Sequence, residues 1–375
     1  MKTRIGLVLT LIFNILMLFR VSSPVSGYTF TVNTLVDEVD GECTVDCSLR
    51  DAVNLAITGD TITLGVTGTF TLNTPLTINK ILTITGGGWD KHRISGNSAH
   101  RVFDVTASGN LTLSWVTVEK GRADNGAGIV NQGILTTNGV IYYDNVASGK
   151  GGAVHNLGGF TLNSGSVSTN RASGDGGGIN NEGSLIVERT TFYQNTAAFG
   201  GAIKNEGGVA TITNASFYQN TATSRGAGID SGSGSTLTLV NSTFYDNTGN
   251  GAVSNPDSTT TLINTLIADT SGDDCSEDDF TLASNHNLAT DASCTPGFNQ
   301  VPLDTLRLNW TSGYYLTIGW GSTAVDAGNN IGCALVDQAN QSRPLDGDQD
   351  GSAVCDVGSD ELLINQIIFL PLVVK

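Results

Sequence analysis

Between Gly126 and Asn255 the chain repeats itself, and a repeat of this length leaves few folds open. One motif is Gly/Ala-rich and ends on an aliphatic residue followed by Asn two positions on. It reads GAGIVN at Asn131, GGAVHN at Asn156, GGGINN at Asn181 and GGAIKN at Asn205, with weaker copies at Ser231 and Asn255. Its aliphatic residues, Ile129, Val154, Ile179, Ile203, Ile229 and Val253, are spaced 25, 25, 24, 26 and 24 apart. A second motif alternates with it: YYDN at Asn145, VSTN at Asn170, FYQN at Asn195 and Asn220, and FYDN at Asn247. Alternating apolar and polar stretches, such as TLTLV from Thr236, lie between the two. Each unit thus holds about three short strands and no helical pattern.

A unit this small cannot bury its apolar side alone, so neighbours must stack into one core. The spacing predicts an all-β parallel β-helix, one coil per ~25 residues. A propeller blade needs ~40–45 residues and is excluded. Stacking puts Ile129, Val154, Ile179 and Ile203 in one internal column, and Tyr142, Val167, Phe192, Phe217 and Phe244 in another. Asn131, Asn156, Asn181 and Asn205 form a third column, at a bend, where amides can bond from coil to coil.

Composition agrees. Gly is 47 of 375 residues and only 14% are charged, against an ordinary ~25%. A charge of −17 excludes a nucleic-acid binder, which needs a basic face.

Lys2 and Arg4, the apolar run Ile5–Phe19 and the small residues Val25-Ser26-Gly27 read as a secretory signal over residues 1–27. The run is too short to span a membrane. All six cysteines follow it. An even count in an exported chain reads as disulfides, and six cysteines allow fifteen pairings. The arrangement chosen is the local one, Cys43–Cys47, Cys275–Cys294 and Cys333–Cys355; metal ligation is the rival, without a CxxC or a nearby His to support it.

The alternation of GGA-aliphatic-x-N with FxxN resembles the repeats of polymorphic outer-membrane proteins. Cys47-Ser48-Leu49-Arg50-Asp51-Ala52 resembles the CSLREA motif of secreted bacterial β-helix proteins, with Asp51 in place of Glu. The resemblance implies a right-handed parallel β-helix of structural or adhesive function, secreted or at the cell surface. Ser48 and Asp51 also have capping-box spacing, so a short helix over Leu49–Ala56 is expected to cover the open first coil. The expected organisation is an N-terminal cap at 28–60, the β-helix at 61–270, irregular final coils with a cap at 271–361 and an apolar tail at 362–375. The segment from Ile84, ITGGGWDKHRISGN, reads as a turn-rich join. The resembled proteins carry a C-terminal membrane barrel, and residues 271–375 are not expected to form one.

Three sets of residues carry candidate chemistry. Asp346, Asp348 and Asp350 alternate on a glycine-containing loop that suits a structural Ca²⁺. Val357 stands where an EF-hand needs Glu, so the loop is not an EF-hand. No other cofactor is expected. Asp273, Asp274, Glu277, Asp278 and Asp279 are a weaker acidic run. Tyr143, Tyr193, Tyr218 and Tyr245 are expected to face outward and to form a stripe for an extracellular polysaccharide or cell-envelope component, or simply to cover one another. The alternative function is a pectin-degrading lyase or hydrolase on the same fold. Arg93, Arg101, Arg171, Arg189 and Arg225 are available to it, but form no recognisable cluster, and the GHG and RIK segments of the hydrolases are missing. His155 reads as an exposed turn residue.

Overall fold

The computed structural model describes residues 27–232, 234–276, 286–294, 298–311 and 315–363. Among them the chain winds as a parallel β-helix. One coil runs through Ile129–Asn131, Ile134–Asn138, Ile141–Tyr143 and Val146–Ala147 before Val154–Asn156 starts the next. Stacking these segments gives four parallel sheets. Sheet 1 has ten strands, from Thr29–Val32 to Thr259–Ile263. Sheet 2 has eleven, from Gly68–Thr71 to Phe298–Gln300. Sheet 3 has eight, from Leu76–Ile78 to Val253–Ser254, and sheet 4 has five short ones.

The strands reach beyond the expected limits of 61 and 270. Thr29–Val32 already pairs with Asp60–Leu64 in sheet 1, and Asn287–Ala289 and Phe298–Gln300 extend sheet 2. The expected join after Ile84 contains a strand as well, His92–Ser95, paired with both neighbours in sheet 2.

Alternation decides what is inside. Ile129, Val154, Ile179 and Ile203 are in register in sheet 3 and fully buried. In sheet 2, Tyr142, Val167, Phe192, Phe217 and Phe244 form the facing column. Phe192 and Phe217 stack at 4.7 Å, and Phe217 and Phe244 at 4.3 Å, each pair within 3° of parallel. The stacking distance is close to the ~4.8 Å strand spacing, so identical residues one coil apart meet face to face. Each such burial stabilises by about 1.5–3 kcal/mol.

Two asparagine ladders fix the corners. In the first, Asn131, Asn156 and Asn181 each donate Nδ2 to Oδ1 of the next member, at 2.7, 2.7 and 2.8 Å, ending on Asn205. The second joins Asn145, Asn170, Asn195, Asn220 and Asn247 at 2.9–3.1 Å. The repeat pattern predicts a ladder only for the first column. FYQN carries the second, whose amides also bond to backbone carbonyls of the previous coil, as Asn195 does to Val167 at 2.7 Å.

The helix Leu49–Leu55 begins at Ser48, whose Oγ accepts from Asp51 N at 3.0 Å. Leu49, Ala52 and Val53 are buried against the first coil, so the helix covers its open end. Arg50 clamps Asp37 with two bonds, at 2.8 and 2.9 Å.

Within the C-terminal region, Asn287–Ala289 and Phe298–Gln300 add coils to sheet 2, and residues 315–363 fold back along the outside of the β-helix. From Trp115 onward, the turn after each sheet 1 strand places one residue in the left-handed region, and Asn214, Asn241 and Asn264 occupy it in three successive coils. Their amides point outward and hold the returning chain: Asn214 donates to Val336 O at 2.7 Å, Asn241 to Asp356 O at 3.3 Å and Asn264 to Asn329 O at 3.0 Å. Disulfides join Cys43–Cys47, Cys275–Cys294 and Cys333–Cys355. Residues 1–26 of the expected signal segment and 364–375 of the apolar tail lie outside the described residues.

Candidate glycan groove and acidic loop

Sheet 2 presents two outward columns. One is Arg93, Thr117, Ile141, Ser166, Thr191 and Ser216. The other is Glu119, Tyr143, Ser168, Tyr193, Tyr218 and Tyr245. Ser166 and Ser168 sit side by side in one coil, so the surface dips there. Above the dip stands Trp89, on the loop before His92–Ser95. Thr117 Oγ1 donates to Trp89 O at 2.8 Å and holds that loop down. The result is a cavity of about 360 Å³ lined by Trp89, Arg93, Tyr143, Ser168 and Tyr193. A second hollow of about 230 Å³ continues it past Trp115 and Ser164 to Arg189.

The returning chain closes the far end. Gln338 Nε2 donates to Thr191 Oγ1 at 2.9 Å, and Ser216 Oγ donates to Gln338 Oε1 at 2.5 Å. Trp310 lies against Tyr193 and Tyr218, with centroids 5.1 and 4.6 Å away. The groove therefore spans the coils from Arg93 to Thr191, four coil steps, or about 19 Å at the strand spacing.

The structure divides the four candidate tyrosines. Tyr143 and Tyr193 line the groove. Tyr218 is stacked between Tyr193 and Tyr245 at 5.5 and 5.7 Å, and Tyr245 packs on the apolar cluster around Leu266 and Leu288. Trp89 and Trp115, 41% and 50% exposed, are groove residues that the sequence reading passed over. Neither lies in the repeat motif, because Trp89 is in a loop and Trp115 in a turn.

That turn column is informative. Its members are Trp115, Gly139, Ser164, Arg189, Asn214, Asn241 and Asn264, all with φ between 46° and 60°. Asn and Gly suit this conformation; other residues there cost roughly 1–2 kcal/mol. Trp115 and Arg189 are the bulky exceptions, and both border the groove. The Trp115 ring lies over Gly139, where a Cβ would come within 2.5 Å of it.

The acidic loop gathers a different set from the one expected. Carboxylate oxygens of Asp326, Asp346 and Asp348 lie within 4.8 Å of one another. Asp350 is not in the group: its Oδ1 accepts from Ser352 N at 2.8 Å. Asp326 was invisible to the sequence reading because it lies twenty positions before the loop. Asp274 is buried and occupied, accepting from Thr290 N and Thr290 Oγ1, both at 2.7 Å. Glu277, Asp278 and Asp279 lie outside the described residues.

His155 is not exposed. It is 8% accessible, in a sheet 3 strand, with Nε2 3.2 Å from Glu182 Oε1. Neighbouring side chains cover this outward column, and burial lowers the imidazole pKa against the opposing pull of Glu182. The same face holds Lys150 with Glu182, and Lys204 and Arg225 with Asp230. Arg101 pairs with Asp104 there too. The cations of this row are each matched by a carboxylate, as in a stabilising network.

No family model and no curated protein matches the chain. Among solved structures it is similar to that of the PL6 family alginate lyase AlyGC, at 14% identity and a TM-score of 0.28. The match covers 77% of this chain and spans about half, 55%, of that one.

Proposed function

We propose that this parallel β-helix is a secreted or cell-surface protein of structural or adhesive type that binds a polysaccharide strand along the sheet 2 groove. The observation that carries the reading is the groove itself, with Trp89, Tyr143 and Tyr193 around a floor of Ser166 and Ser168. Indole and phenol faces stack on the apolar faces of sugar rings, and hydroxyl side chains meet sugar hydroxyls. The groove follows the coil axis, so it suits a chain of sugars better than one small molecule. Disulfides fit an oxidising, extracellular compartment. Among its described lining residues the groove holds no carboxylate pair of the kind glycoside hydrolysis uses. Asp326, Asp346 and Asp348 are the residues we assign to a structural Ca²⁺.

A glycan array probed with the full secreted chain tests this, beside turnover assays on the polymers that bind. Trp89→Ala and Tyr143→Ala should each weaken retention, and Tyr245→Ala should not. Retention unchanged in both groove variants, or no glycan retained, would refute the assignment.

A further inference from the structure

The groove differs in charge from the molecule that carries it. The chain has 35 acidic residues against 18 basic ones. Along the groove the charged lining residues are Arg93 and Arg189, with no Asp or Glu among the described lining residues. Arg93 is bonded to Glu119 at 2.7 Å and is still 42% exposed. It keeps further donors facing the cavity, because a guanidinium carries five. Arg189 donates Nη1 to Asn340 Oδ1 at 3.0 Å. That partner is neutral, and among the described residues no carboxylate lies within ion-pair distance of Arg189. Its Nε is shielded from solvent and has no hydrogen-bond partner.

The backbone adds an independent argument. Arg189 has φ 48°, in the turn column where the next three coils carry Asn. Asparagine would fit the turn better and would keep the amide that Asn214, Asn241 and Asn264 use. An observed outlier of this kind points toward function. Here it places a cation at the one end of the groove, with Arg93 toward the other.

We infer that the polymer in the groove is anionic, with carboxylate or sulfate groups on its sugar units paired to Arg189 and Arg93. This rests on reading the groove as a glycan site. Guanidinium matches the planar carboxylate and the sulfate with paired donors. The surrounding negative charge opposes the approach of a polyanion, but that field is screened within about 8 Å at physiological salt. Contacts inside the groove are shorter than this.

The test compares four polymers by affinity electrophoresis of the full chain in about 0.15 M salt. They are polygalacturonate, its carboxyl-reduced form, dextran sulfate and dextran. The acidic members should be held about tenfold more tightly than their neutral partners, as for charge-assisted pairing. The stronger of the two acidic arms distinguishes carboxylate from sulfate. Arg189→Asn should remove most of the preference while the melting temperature holds or rises, because Asn suits the turn. Arg189→Lys should keep part of the preference. Equal binding of acidic and neutral polymers, or a preference intact in Arg189→Asn, overturns the inference and leaves the glycan reading standing. Binding of none of the polymers overturns both.

Discussion

Gln338 and Thr191 are bonded at 2.9 Å across 147 positions of sequence. That contact marks where the returning C-terminal chain meets the open groove, so the length of the groove is set by the tail end of the molecule. Coils beyond Thr191 are covered on this face by the returning chain, and the coils through Ile141 and Ser166 before it line the groove. The repeat alone would have produced a uniform surface; the return of the chain gives it an end.

Cys333–Cys355 pins this returning segment over a sequence separation of 22. A loop of that size is worth about 3 kcal/mol in the chain-entropy picture. The double Cys333→Ser, Cys355→Ser variant should therefore melt earlier. Glu-C protease should also begin to cut after Glu361 under partly destabilising conditions, a residue now 2% accessible. An unchanged melting curve and digestion pattern would show that the asparagine contacts suffice alone.

The same segment buries Asp360, whose Oδ2 accepts from Ile318 N at 3.0 Å. Burial pushes its pKa up to about 7; the Ile318 hydrogen bond and Arg343 pull it down, while Asp337 and Glu361 add to the rise. The folded value lies above the unfolded one. Its contribution is thus fully present below the usual carboxylate range near 4 and is lost as pH rises through about 7. Stability of the returning segment should fall between about pH 4 and pH 7. Asp360→Asn cannot ionise and should flatten that fall in part. Melting curves at several pH values check it, and an identical fall in the variant would discard Asp360 as a cause.

Phe217 tests the core. Its ring is fully buried between Phe192 and Phe244. Phe217→Ala should cost about 3–5 kcal/mol by denaturant unfolding. Asn195→Ala tests the ladder beside it. It strips Asn170 of an acceptor and Asn220 of a donor, and an unsatisfied buried group costs about 1–3 kcal/mol. A loss below about 1 kcal/mol would mean that the ladder relaxes around the gap.

The repeat made the core legible. Ile179 and Phe217 follow from a period near 25 and strict alternation, because every coil meets a copy of itself and the register has no freedom. The groove was only half legible. Tyr143 and Tyr193 stand in the repeat, whereas Trp89 and Trp115 stand outside it and gain meaning only when the coils are stacked. Arg93 and Arg189 are 96 positions apart in sequence and share one groove through register alone. The return of the chain was illegible for a related reason: Asn214, Asn241 and Asn264 look like ordinary turn residues until their amides are seen to hold Val336, Asp356 and Asn329.

Calcium distinguishes the folded loop from its sequence pattern. The sequence offers Asp346, Asp348 and Asp350; the fold gathers Asp326, Asp346 and Asp348. Three carboxylates this close repel, and a divalent cation would relieve them with hard oxygen ligands. A ligand that binds only the native state stabilises by RT ln(1 + [L]/Kd), about 2.7 kcal/mol at a hundredfold excess. Extracellular calcium modules bind at about 10⁻⁴–10⁻³ M, so millimolar Ca²⁺ should give a smaller gain than that. The melting temperature should rise modestly with millimolar CaCl₂. Asp326→Asn and Asp348→Asn should each abolish the rise, and Asp350→Asn should keep it. Sodium chloride at matched ionic strength is the control, since simple screening would act equally in every variant. A rise of the same size with NaCl would remove calcium from the account. Loss of the rise in Asp350→Asn, with Asp326→Asn unaffected, would mean that the cation follows the linear motif and not the folded cluster.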